Sequence, residues 1–244
     1  MASGMPSLFD HTWSAYTKHF LIIFTLALPG LVALLMPAAI GAPAYRTLGG
    51  IYLRTASIPD LTGSDYAAIL AGVLISLFLM SFAMVNINLV IKSERTLTNI
   101  GKEVMRHLTT TTLSVFWVSL VGIILLFIVQ LLTSEWGVQK WLSPLLSGIV
   151  GMVLFIVPTA MVMDDLRPWR AVQKSVETTL HKWPLVLLWL VMALVCVSVI
   201  DGIALMLPAP YGSYIVLVLN STILLPYFVV MLGQIYISKY TILA

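Results

Sequence analysis

Charged side chains are scarce in this chain, and six long stretches are almost free of Asp, Glu, Lys and Arg. Only 9% of the residues are charged, against about a quarter in soluble domains. The stretches are 20–40, 67–91, 113–132, 144–163, 183–206 and 214–238, and the one charged residue inside them is Asp201. As a helix, each stretch can cross a hydrocarbon core about 30 Å thick. A chain in lipid must satisfy its own backbone hydrogen bonds, so we expect an all-α membrane protein with six transmembrane helices.

Cysteine is nearly absent, and the common catalytic motifs do not occur. The lone Cys196 lies in the fifth stretch, which excludes an internal disulfide and suggests a small apolar side chain. There is no H-E-x-x-H, G-x-S-x-G or P-loop sequence. Six spans and their connectors use almost all of the 244 residues, so we expect 1–244 to form a single integral membrane domain. We predict no enzymatic activity, no cofactor and no metal.

The basic residues are divided unevenly between the two sides of the six spans. One side carries ten: Lys18, Lys92, Arg95, Lys102, Arg106, Arg167, Arg170, Lys174, Lys182 and Lys239. The other side carries three: Arg46, Arg54 and Lys140. This asymmetry in short loops predicts that both termini face the cytoplasm. The net charge of +3 is therefore expected to face anionic lipid head groups, and not nucleic acid.

The first stretch has an alternative interpretation as a signal peptide. Lys18 and His19 precede an apolar run that ends in the small residues 41–44, as at an A-x-A cleavage site. However, the run of about 20 residues is longer than the usual 7–15-residue apolar core of such peptides. Cleavage would also leave an odd number of spans, so we interpret 20–40 as a retained span.

Two connectors on the basic side show the same helical spacing of apolar residues. The two sets are Leu97, Ile100, Val104 and Leu108, and Trp169, Val172, Val176 and Leu180. A shift of 72 residues relates them and also superposes Arg95 on Arg167, Lys102 on Lys174, and Trp117 on Trp189. A fainter copy, offset by 88 residues, is formed by Phe9, Thr12, Tyr16 and Phe20. We predict three pseudo-repeated hairpins, each preceded by an amphipathic cytoplasmic interface helix. Chance similarity between juxtamembrane helices is the alternative.

Polar residues inside the spans are the first candidates for a functional site. Asp201 falls near the outer end of the fifth span, where we expect it to mark the interface. The uncharged candidates are Asn86, Asn88, Gln130, Asn220 and Gln234. Hydrogen bonding between helices explains such residues, and a polar pathway lined by Asn86, Asn88, Asn220 and Gln234 is the alternative. Pro29, Pro158 and Pro226 are each expected to kink a span.

The acidic and histidine residues near the basic side are weak candidates for catalysis or metal binding. Asp164 and Asp165 could hold a divalent ion, but acidic residues just before Arg167-Pro168 also suit the start of a helix. We therefore expect the pair to favour that helix start. The histidines, His11, His19, His107 and His181, are explained by contact with head groups. An enzyme acting on lipid would require Asp164, Asp165 and a histidine to converge.

The segment 156–175 resembles the fourth-span region of the YciC-like bacterial inner-membrane proteins. These are related to the membrane domain of glycerophosphoryl diester phosphodiesterases. The resembling residues are a span proline, an acidic residue, and Ala and Ser four apart at the start of an amphipathic helix: Pro158, Asp164 or Asp165, Ala171 and Ser175. The resemblance implies six spans in a bacterial inner membrane. It implies no active site, because catalysis in the phosphodiesterases belongs to a separate soluble domain.

From these patterns we expect a non-enzymatic multi-pass membrane protein that acts as an accessory or envelope-maintenance factor. Its expected contacts with anionic lipid or a membrane protein partner are basic residues on the cytoplasmic side: Arg95, Lys102, Arg106, Arg170, Lys174 and Lys182. The alternative is a small transporter or channel for a solute or lipid.

Overall fold

The computed structural model describes residues 5–40, 62–96, 109–137, 139–204, 206 and 211–238. Within these ranges the chain is helical apart from short turns. The helices are α1 (Met5–Lys18), α2 (Phe20–Ile40), α3 (Gly63–Thr96), α4 (Thr110–Glu135), α5 (Gln139–Met163), α6 (Pro168–His181), α7 (Trp183–Ala204), α8 (Tyr211–Leu219), a π-helix (Asn220–Leu224) and α9 (Leu225–Ile237).

Five helical segments are long and apolar enough to cross a membrane. They are α3, α4, α5, α7 and the continuous run of α8, the π-helix and α9. A sixth is obtained if α1 and α2 count as one span bent by 84°. The 21 residues of α2 alone rise about 31 Å, close to the thickness of the hydrocarbon core. The expected all-α architecture is confirmed for the described residues, and of the six predicted spans the structure supports five or six helices able to cross a membrane.

The helix ends follow local sequence signals. Thr62 begins α3 through a reciprocal pair of bonds, in which its backbone N–H donates to Asp65 Oδ2 at 2.9 Å and Asp65 N–H donates weakly to Thr62 Oγ1 at 3.4 Å. Helix α4 ends in a turn at Trp136 and Gly137, and Gly137 has φ +70°, a conformation that glycine adopts readily. Pro226 is the second residue after the π-helix, and its missing N–H explains why the regular hydrogen-bond ladder is interrupted there.

Three of the spans form the centre of the bundle. Helices α3, α5 and α9 contact one another, and their buried residues make up most of the two apolar cores. In α4 and α7 only 11% of the apolar stretch is buried, against 28% in α3, 39% in α5 and 44% in the last span. Most of the exposed residues of α4 and α7 are themselves apolar, as expected of helices that face lipid.

A glycine permits a close approach between α4 and α5. A Cβ atom built on buried Gly122 would lie 2.6 Å from Leu154 Cδ1 and 3.1 Å from Leu154 Cγ. In membranes, small residues at helix contacts contribute strongly to association, because lipid is as apolar as the helix surface.

We predict that Gly122→Val destabilises the folded protein by about 1–3 kcal/mol through overpacking. Gly148→Val on α5 is the matched control, since nothing lies within 4 Å of a Cβ atom built there. Thermal unfolding of both variants in the same detergent measures the difference. Equal melting temperatures would contradict a tight contact at Gly122.

Candidate functional site

Ion pairs and polar contacts collect at one end of the bundle, which we call the basic end. There Lys18 at the end of α1 lies 2.7 Å from Glu94 Oε1 of α3. Lys92 of α3 makes a second pair, with Asp165 Oδ2 at 2.7 Å. At the opposite end of α5, Lys140 lies beside the exposed Trp141 ring, 5.8 Å from its centroid.

The segment between α5 and α6, residues 164–167, is tied to both other central helices. Asp165 pairs with Lys92 of α3, whose side chain is only 12% exposed. The Tyr236 hydroxyl of α9 donates to Asp164 Oδ2 at 2.5 Å. Asp165 has φ +49°, a left-handed conformation that aspartate tolerates better than most residues. This segment, the junction, therefore joins the ends of α3, α5 and α9.

The junction corrects the interpretation of the acidic pair as part of the start of α6. Helix α6 does begin at Pro168, but its N-cap is Arg167, without a side-chain capping bond, and its first turn holds no acidic residue. Asp164 and Asp165 turn instead toward α9 and α3. Their partners lie 72 and 73 positions away, and no local helix-start signal indicates such contacts.

Lys182, between α6 and α7, caps the last helix of the bundle. Its ammonium group donates to the Ile235 carbonyl at 2.6 Å and to Ser238 Oγ at 3.1 Å. A longer contact of 3.4 Å reaches the Tyr236 carbonyl. The last carbonyls of a helix have no partner within the helix and carry partial negative charge, which a lysine satisfies well.

Helix α6 presents three different faces. At about 100° per residue, its side chains divide into three sectors of the circumference. The buried sector holds small residues, Ala171, Ser175 and Thr178. The second sector is apolar and exposed, with Trp169, Val176 and Leu180. The third is polar and mostly exposed, with Arg170, Gln173, Lys174, Glu177 and His181.

The buried sector of α6 fixes the helix against α5. Ala171 and Ser175 are fully buried, and the Ser175 hydroxyl donates to the Val153 carbonyl at 2.5 Å. Small side chains allow this close contact, while the larger apolar residues are left outward. Trp169 is 71% exposed although it belongs to the apolar pattern of the helix.

The predicted lipid-contact residues occupy different environments. Arg95 and Arg170 are exposed at the basic end. Lys174 is partly buried and lies 2.8 Å from Glu177 Oε2 on the same helix. Lys182 is engaged at the end of α9. Lys102 and Arg106, with the apolar set 97–108, lie outside the described residues.

The predicted pathway residues are also dispersed. Asn86 and Asn88 are fully buried in α3, and Asn88 Nδ2 donates to the Met84 carbonyl at 2.8 Å. Neither polar atom of the Asn86 side chain has a hydrogen-bond partner among the described residues. Asn220 lines a cavity of about 320 Å³, whereas Asn86, Asn88 and Gln234 are not among its lining residues.

The histidines and carboxylates at the basic end make structural contacts. His181 Nδ1 lies 2.8 Å from the Glu177 carbonyl one turn earlier. His19 Nε2 is 3.6 Å from Glu94 Oε1, and His107 lies outside the described ranges. Within those ranges, no group of three His, Cys, Asp or Glu residues is placed to hold a metal ion.

No protein-family model, no curated protein and no solved structure matches this chain.

We predict that Asp165→Asn lowers the free energy of unfolding by about 1–3 kcal/mol, because Lys92 would keep its burial and lose its charged partner. Asparagine also tolerates the left-handed backbone, so the substitution tests the ion pair and not the turn. The control is Glu177→Gln in the exposed pair on α6, for which we expect a loss below about 0.5 kcal/mol. Thermal unfolding in detergent measures both, and an equal loss would contradict a special role for the junction.

Proposed function

We propose that this chain is a non-enzymatic multi-pass membrane protein whose working surface is α6 at the basic end. The observation that carries the proposal is the three-faced character of this helix. Its small residues pack on α5, its apolar residues are exposed, and Arg170 and Lys174 share the remaining sector. A helix of this kind lies in the plane of the membrane interface, with the apolar side in lipid and the basic side among head groups.

Contacts on both sides of α6 hold this surface in a fixed orientation. The junction precedes the helix and is tied to α3 and α9, while Lys182 follows it and caps α9. The large apolar residues can therefore enter the bilayer without first being released from the bundle. The basic sector would favour anionic lipid, at about 1 kcal/mol for each Lys or Arg near the surface.

We infer that the basic end faces the cytoplasm, with both termini there. Lys18, Lys92 and Lys182 all contribute to that end, and the excess of Lys and Arg in the sequence supports the orientation. The resemblance of 156–175 to the YciC-like proteins supports a bacterial inner membrane and an accessory or envelope-maintenance role. The residues that carry this resemblance include Asp164 and Asp165 of the junction, and Ala171 and Ser175 in the buried sector of α6.

We further propose that the three central helices belong to three repeated hairpins. The 72-residue shift that relates the connectors also relates Lys92, Asp164 and Tyr236, which lie toward the same end of α3, α5 and α9. The same shift relates Val85, Val157 and Val229, all of them fully buried. The copies have diverged on their outer helices, since Trp189 is buried while Trp117 is 56% exposed.

Single-cysteine labelling tests the orientation of α6. In a Cys196→Ser background, cysteine replaces either Leu180 on the apolar sector or Glu177 on the polar sector, and each carries an environment-sensitive fluorophore. In liposomes we expect brominated lipid to quench the label at 180 and an aqueous quencher to reach the label at 177. Equal access of the aqueous quencher to both labels would contradict insertion of the apolar sector.

The preference for anionic lipid has a separate test. We expect Arg170→Gln combined with Lys174→Gln to lower the ratio of anionic to zwitterionic lipid that co-purifies with the protein, measured by mass spectrometry. The control is Lys140→Gln, which removes a cation at the opposite end of the bundle. An unchanged ratio in the double variant would contradict electrostatic recognition by α6.

A further inference from the structure

A cavity of about 320 Å³ lies between α2, α3, α5, α7 and the π-helix region of the last span. Ten of its eleven lining residues are apolar, none is charged, and the exception is Asn220. Trp189 and Phe228 form buried walls, and Trp189 Nε1 donates to the Phe228 carbonyl at 2.8 Å. This hydrogen bond holds the indole ring in place, so one wall of the cavity has a fixed position.

The cavity lies at the depth of the hydrocarbon core. Its lining residue Ala193 is about 15 Å from the start of α7 and about 17 Å from its end. One of its lining residues is Leu34 of α2, which is 40% exposed. The cavity wall is therefore continuous with the surface that faces lipid, so a membrane lipid can enter it without crossing water.

The amide of Asn220 gives this apolar cavity one polar group. Asn220 is the first residue of the π-helix, and its buried Oδ1 has no hydrogen-bond partner among the described residues. The other polar side chains nearby are engaged: Ser221 and Thr222 donate to the Val218 carbonyl, and Tyr16 donates to the Ile223 carbonyl. π-Helical segments occur frequently at functional sites.

We propose that this cavity binds an uncharged lipid, with its apolar chain along the walls and one hydroxyl group that donates a hydrogen bond to Asn220 Oδ1. A phospholipid head group does not fit, because its charge would lie near the bilayer centre beside no charged residue. A water molecule needs two to four polar partners, and these walls offer a single amide. The proposal goes beyond the surface function of α6 and involves none of the α6 residues.

The test uses two photoactivatable probes with the same diazirine-bearing acyl chain, a diacylglycerol and a phosphatidylcholine. The full chain is reconstituted in nanodiscs, irradiated with each probe and mapped by mass spectrometry. We expect the diacylglycerol to label peptides of α7 and the π-helix about fivefold more strongly than the phosphatidylcholine, as one net hydrogen bond would give. Equal labelling by the two probes at the cavity would overturn the proposal, since a generic acyl chain would then explain it.

Two variants and one control test whether the Asn220 amide and the cavity volume are required for labelling. Asn220→Leu should lower diacylglycerol labelling about fivefold to the level of the phosphatidylcholine probe. Ala193→Trp should abolish labelling of the cavity by filling it, whereas Val195→Trp on the exposed side of α7 should leave it unchanged. Full labelling of Asn220→Leu would overturn the role of the amide. If a cavity variant fails to fold, the comparison of the two probes on the unsubstituted chain still decides.

A competition experiment tests whether the bound lipid must carry a hydroxyl group. Unlabelled long-chain alcohol and isoprenoid quinone are each added to the diacylglycerol experiment. Displacement by the alcohol supports a hydroxyl that donates to Asn220 Oδ1, whereas equal displacement by the quinone, which has no donor, would contradict that hydrogen bond. Equal displacement by a long-chain alkane would overturn the proposal. Loss of labelling in α6 variants is not expected, so failure of this site and failure of the α6 surface are distinguishable.

Discussion

The contacts made by two adjacent carboxylates at the end of α5 organise the basic end of this molecule. Asp165 holds Lys92 of α3, and Asp164 accepts a hydrogen bond from Tyr236 of α9. In lipid there is little hydrophobic force between helices, so close packing and polar contacts of this kind carry more of the association. Because α6 begins only a few residues later, its direction is set by all three central helices.

An interface helix attached to a membrane bundle meets three media at once: protein, lipid and water. In the orientation that we propose, helix α6 would meet each with a different class of side chain: small residues toward protein, large apolar residues toward lipid and charged residues toward water. The arrangement reverses the rule for soluble helices, in which the largest apolar residues face the core. In that orientation the exposed Trp169 would lie at the membrane interface, where tryptophan is favoured.

The sequence was sufficient to predict the helical spans, because an apolar stretch of about 20 residues with almost no charge is typical of a helix that crosses a membrane. The 84° bend after Lys18 and the π-helix before Pro226 could not be predicted in detail. Helix propensity does not specify which backbone hydrogen bonds form where the regular i to i−4 pattern is interrupted. The partners of Asp164 and Lys182 were also missed, because both lie more than 50 residues away. For α6, the periodicity of the sequence predicted which residues form the apolar sector. It could not predict which sector packs against α5, because lipid and the protein interior are equally apolar.

The position of α1 has a consequence for the order of assembly during synthesis. Its Tyr16 hydroxyl contacts the Ile223 carbonyl, its Trp13 ring meets Tyr227 edge-on, and its buried residues pack with those of α9. About 200 residues separate these partners, so the ribosome finishes the last span before the first helix can dock. Docking of α1 is therefore a late step in the assembly of the bundle, and it joins the first described helix to the last.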